Sequence, residues 1–155
     1  MDYKLNNMKT TLLLFYLFFL PCIAFTQCNE FTKKECIPLL SPYTFNGQFN
    51  NGVLGEGETA ELHLTLHKDQ EYRILVKGED NLGKPQFQVL DSDRKLLYTN
   101  ADKDFLNTFD FEVESTDNFI IRVLVPVDNA NDMFESGCVS ILLGFRAFGS
   151  RTIFK

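Results

Sequence analysis

ELHLTLHKDQEYRILV, Glu61 to Val76, is the stretch whose periodicity decides the fold class. Together with Ala60, it places Leu62, Leu64 and Leu66 on one face and Glu61, His63, Thr65 and His67 on the other. A period of two marks a half-buried strand, not the 3.6 of a helix. Lys68 to Gln70 then reads as a turn, after which Tyr72, Ile74 and Val76 point inward against Glu71, Arg73, Leu75 and Lys77. The two runs are expected to form a β-hairpin. The same periodicity decides the histidines. His63 and His67 have H-x-x-x-H spacing, but on a strand that step is roughly 13 Å, whereas zinc needs both ring nitrogens about 2.0 Å from one ion. Two solvent-facing strand histidines are expected, with no metal ligand assigned.

Alternation continues in both directions. Phe87 and Val89 point inward in PQFQVL, Asp91-Ser92-Asp93 turns the chain, and KLLYT is a short strand. Phe109, Phe111 and Val113 form the inward set of NTFDFEVE. NFIIRVLVP is apolar on both faces, as a central strand should be. In CVSILLGF, Val139, Ile141, Leu143 and Phe145 share one side. About eight strands, separated by turns such as Gly55-Glu56-Gly57 and Asn81-Leu82-Gly83-Lys84, predict an all-β fold. Its form is a two-sheet antiparallel sandwich, jelly-roll-like, over residues 43–148, followed by a tail at 149–155.

Before the sandwich, two lysines precede an apolar run from Leu12 to Leu20 and a polar exit, the pattern of a secretory signal peptide over residues 1–24. A cut after Gln27 is the alternative to one after Ala24. The run is far short of the roughly 18 residues a transmembrane helix needs. A secreted, periplasmic or cell-surface location follows. Removing Lys4, Lys9 and Asp2 leaves 13 basic against 20 acidic residues, a net charge of −7. That balance argues against nucleic acid, whose phosphates need clustered Lys and Arg.

Residues 25–42 form an N-terminal extension in which Pro38 is expected to stop any helix after one or two turns. Cys22 leaves with the signal peptide unless it is lipidated, and the residues before it suit lipidation poorly. Export makes a disulfide expected among Cys28, Cys36 and Cys138. Cys28 with Cys36, close in sequence, is the preferred staple, and Cys36 with Cys138 the alternative.

Catalytic motifs do not emerge. The chain has no G-x-S-x-G elbow, no H-E-x-x-H and no phosphate loop. The acidic turns at 91–93, 100–104 and 128–132 offer oxygen ligands of the kind calcium uses, but none matches the twelve-residue calcium loop, and local hydrogen bonding explains their Asp and Asn. No catalytic residue, cofactor or metal is assigned.

The segments GEGETAELHLTLHKDQEYRILV, FQVLDSDRKLLYTN, FDFEVESTDNFIIRVLVP and GCVSILLGF together resemble the pre-peptidase C-terminal-like module, a small jelly-roll sandwich of secreted bacterial proteins. Asp69-Gln70-Glu71-Tyr72-Arg73-Ile74 and Leu90-Asp91-Ser92-Asp93 occupy the family's motif positions, with Asp69 where the family usually has Gly. The chain is also similar to secreted proteins of Gram-negative bacteria in which this module stands almost alone. Neither resemblance brings catalytic residues.

The expected function is therefore a non-catalytic module that binds or supports a protein or other cell-surface macromolecule. The loops Asn81 to Lys84 and Val127 to Glu135 are its expected contacts. The alternatives are carbohydrate binding through Tyr43, Tyr72 and Tyr98, and a hydrolase built on a carboxylate pair.

Overall fold

The computed structural model describes residues 27–127 and 133–147. The expected signal peptide, Cys22, the turn at 128–132 and the tail at 149–155 lie outside the described residues. The chain begins with a short helix, α1 (Gln27–Phe31), continued by a π turn (Thr32–Cys36) and a 3₁₀ turn (Ile37–Leu40). Pro38 does not end this helical run as expected. It sits at the start of the 3₁₀ turn, where its missing N–H costs no bond.

Nine strands follow among the described residues: β1 (Thr44–Phe45), β2 (Asn50–Gly55), β3 (Thr59–Leu66), β4 (Gln70–Gly78), β5 (Gln86–Asp91), β6 (Leu96–Thr99), β7 (Thr108–Val113), β8 (Asp117–Leu124) and β9 (Ser136–Ala147). All pairings are antiparallel and build two sheets. In the five-stranded sheet β1 and β2 both lie along β9, followed by β4 and β7; the four-stranded sheet runs β3-β8-β5-β6. The two-sheet antiparallel sandwich is thus the fold.

Between the sheets pack Leu66, Tyr72, Ile74, Val76, Phe87 and Val89, with Ile121, Val123, Val139, Ile141 and Leu143 opposite or beside them. Except for Ile121 and Val123, in a strand read as apolar on both faces, these are the inward positions that alternation assigns. Each such side chain contributes about 1.5–3 kcal/mol through removal from water.

The expected β3–β4 hairpin does not form. β3 pairs with β8, whereas β4 pairs with β7 and β9 in the other sheet. The inward faces of two successive strands can meet across a sandwich as readily as along one sheet, so alternation cannot distinguish the arrangements. The crossing is made at Asp69, whose φ of 63° lies in the left-handed region. This is the position where the resembled family has Gly, and Asp is one of the residues that tolerate that conformation. The Tyr72 hydroxyl accepts the His67 N–H at 2.9 Å and so braces the arch from inside.

The disulfide also differs from the expectation. Cys28 pairs with Cys138, and Cys36 is a buried free thiol. Residues eight apart in a helical run are separated by about 12 Å, beyond the roughly 7 Å a disulfide can span between Cα atoms. A four-residue helical step of about 6 Å instead matches a two-residue strand step of about 6.7 Å. Cys28 therefore meets Cys138, Thr32 Oγ1 meets Ser140 Oγ at 2.6 Å, and Cys36 packs with Leu40, Leu75 and Leu142. The N-terminal segment covers the outer face of the five-stranded sheet.

Candidate functional site

The expected contact loops converge at one end of the sandwich. Asn81 Nδ2 donates to Glu135 Oε2 and to Ser136 O, both at 3.1 Å. Glu79 anchors the same loop: its backbone N–H donates to Cys138 O at 2.9 Å, and its Oε2 accepts the Cys138 N–H at 2.8 Å. The turn at 55–58, expected from the sequence as a turn but not as a contact, joins them. The Glu56 N–H donates to Glu135 O at 3.1 Å, and the Gly57 N–H to Val125 O at 3.0 Å.

Three apolar side chains project from this braced end: Val127, Met133 and Phe134 are 57%, 73% and 70% exposed. The Phe134 ring lies directly on Gly55, where a Cβ would come within 2.2 Å of Cζ. The same turns carry Glu58, Glu79, Asp80 and Glu135 against one lysine, Lys84. The signal for this patch was present in Met133-Phe134, two apolar residues inside a polar stretch. The part of the expected loop at 128–132 lies outside the described residues.

The other candidate residues are spoken for or separated. His63 and His67 are exposed, and His63 Nε2 lies 3.9 Å from Glu61 Oε2. Among the described residues no three His, Cys, Asp or Glu side chains gather as a metal cluster would require. Asp91 Oδ1 accepts the N–H groups of Asp93 and Lys95, so that acidic turn bonds itself. Asn100 is fully buried; it accepts the Phe87 N–H at 2.8 Å and donates to Pro85 O and Leu106 O. It organises the 100–107 loop from within.

The three tyrosines do not form a platform. Tyr43 is buried on the outer face of the five-stranded sheet, with the guanidinium groups of Arg73 and Arg146 at 4.7 and 4.5 Å from its ring centroid. Burial is the main cause that pushes its phenol pKa up. Tyr72 is in the core. Tyr98 stacks on Phe109, with centroids 3.7 Å apart, and burial raises its pKa as well.

Three carboxylates on the sheets, Glu61, Asp110 and Glu71, are held by cations. Glu61 accepts from Arg122 at 2.8 Å and from Arg94 at 2.6 Å, and these two bonds lower its pKa. Asp110 takes a two-pronged bond from Arg73, a bond that raises the Arg73 pKa. Glu71 pairs with Arg146. A general acid needs a raised pKa, which is opposite to the direction found at Glu61.

No family model and no curated protein sequence matches the chain. Among solved structures the chain is similar to the periplasmic inhibitor of g-type lysozyme from Aeromonas hydrophila, with 13% identity, a TM-score of 0.48, and coverage of 68% of this chain and 89% of that one. It is also similar to the corresponding periplasmic inhibitor from Salmonella Typhimurium, with 13% identity, a TM-score of 0.41, and coverage of 64% and 86%.

Proposed function

We propose that this protein is an exported, non-catalytic sandwich module that binds another protein through the loop end. Export rests on the sequence pattern of residues 1–24, and the sandwich is the module the pre-peptidase resemblance implies. The observation that carries the binding reading is the projection of Val127, Met133 and Phe134 from loops braced to one another and to β9. Interfaces draw most of their energy from a few apolar anchors on a rigid base, enclosed by polar residues that exclude water. The acidic balance of these turns, four carboxylates against Lys84, favours a partner with basic residues near its own apolar patch.

The experiment is comparative capture from the exported protein fraction of the native host, using wild type and Phe134→Asp. A partner retained by wild type should be lost by about thirtyfold in affinity from the variant, the effect of removing one anchor worth about 2 kcal/mol. Equal recovery by both proteins would place binding away from this end.

A further inference from the structure

We propose a second binding surface, independent of the loop end: the open edge of β7 accepts an extended, basic segment of another protein as an added strand. The backbone phase identifies the free edge. Val76 N–H donates to Asn107 O at 2.8 Å, and in an antiparallel pair such bonds recur at every second residue. Asn107, Phe109, Phe111 and Val113 therefore direct their backbone groups at β4. Those of Thr108, Asp110 and Glu112 point the opposite way, where β7 has no neighbouring strand among the described residues.

Beside this edge lies an apolar groove between the sheets. Its floor is Phe109, Phe111 and Phe119. Phe111 packs on Phe109 and Phe119 with ring centroids 5.2 and 6.1 Å apart, so the floor is a continuous aromatic surface. The opposite wall is β6, also an edge strand. The pairing of β5 with β6 shifts between Val89, opposite Tyr98, and Leu90, opposite Leu96. Leu97 is left as the extra residue of a bulge, a device that re-aims a side chain, and it lines the groove. An added strand would bond the outward backbone of β7 and place alternate side chains on this floor, the usual division between affinity and specificity in strand addition.

Charge decides the occupant. Glu112, Glu114 and Asp117 rim the groove, and among the described residues no Lys, Arg or His lines it. A second copy pairing β7 to β7 would set these carboxylates against each other, and charged edges of this kind discourage self-pairing. The same charges attract a segment in which Lys or Arg alternates with apolar residues.

The test uses the full exported protein and an eight-residue peptide alternating lysine with leucine and phenylalanine. Two controls carry glutamate in place of lysine, or backbone N-methyl groups at every second residue. Binding should slow amide hydrogen exchange at Thr108, Asp110 and Glu112, and both control peptides should fail to produce that protection. The Glu112→Lys, Glu114→Lys, Asp117→Lys variant should bind the lysine peptide about tenfold more weakly, with its fold checked by circular dichroism. Equal binding of the N-methylated peptide would overturn strand addition without any variant having to fold. Protection at the loop end instead, or sedimentation as a dimer whose β7 amides are protected without peptide, would also overturn the proposal.

Discussion

The outer faces of the two sheets meet water differently. On the four-stranded sheet, β3 alternates strictly, with Glu61, His63 and Thr65 exposed between half-buried apolar neighbours, and Arg122 and Arg94 crossing over to Glu61. On the five-stranded sheet, Leu75, Ser140 and Leu142 are buried on the outward side because the N-terminal segment lies over them. One face is finished by long charged side chains, the other by a second layer of chain. The contrast shows that alternation reports solvent only where nothing else covers a strand.

Unfastening the cover should have the largest effect. The Cys28–Cys138 bond spans a sequence separation of 110 residues, and a loop of that order constrains the unfolded chain by about 4–5 kcal/mol. Cys28→Ser with Cys138→Ser should lower unfolding free energy in urea by about that amount. A loss below about 1 kcal/mol would mean that packing alone holds the segment in place.

Next in size, Leu142→Ala beneath the cover should cost about 3 kcal/mol, against less than about 1 kcal/mol for Arg122→Ala on the uncovered face. Equal costs in denaturant melts would erase the distinction between the faces. The cover also shields a thiol. Burial is the main cause that raises the Cys36 pKa, so iodoacetamide should leave it unmodified in the folded protein at pH 8 and alkylate it in denaturant. Rapid alkylation without denaturant would show the cover to be open.

The smallest effect lies on the uncovered face. The folded pKa of Glu61 is depressed by Arg122 and Arg94, so its contribution is present above the ordinary carboxylate range and is lost as pH falls through the folded value. Glu61→Gln should therefore narrow the stability difference from wild type as the medium is acidified below about pH 4.5. A difference that stays constant down to pH 2 would show that the carboxylate charge is not what stabilises this cluster.

Much of the candidate surface was legible in the sequence, for identifiable reasons. Asn81 to Lys84 and the described ends of Val127 to Glu135 read as loops because their composition suits turns, and loops gather at the ends of a sandwich. Their bonding through Asn81 and Glu135, and the addition of the turn at 55–58, were not legible, since hydrogen bonds between distant loops leave no local pattern. The β7 edge was equally hidden. TFDFEV names the inward phenylalanines but cannot say which strands have a neighbour on only one side.

By itself the sequence determined the all-β class and the inward residues of β3, β4, β5, β7 and β9, because side chains alternate with a fixed period and apolar groups leave water wherever the strand is placed. Only the tertiary structure decided that β3 and β4 belong to opposite sheets and that Cys28 meets Cys138. Both depend on which elements lie side by side across the chain: β4 leaves for the other sheet through a turn in which Asp69 is left-handed, and a helical step matched to a strand step brings the two cysteines together.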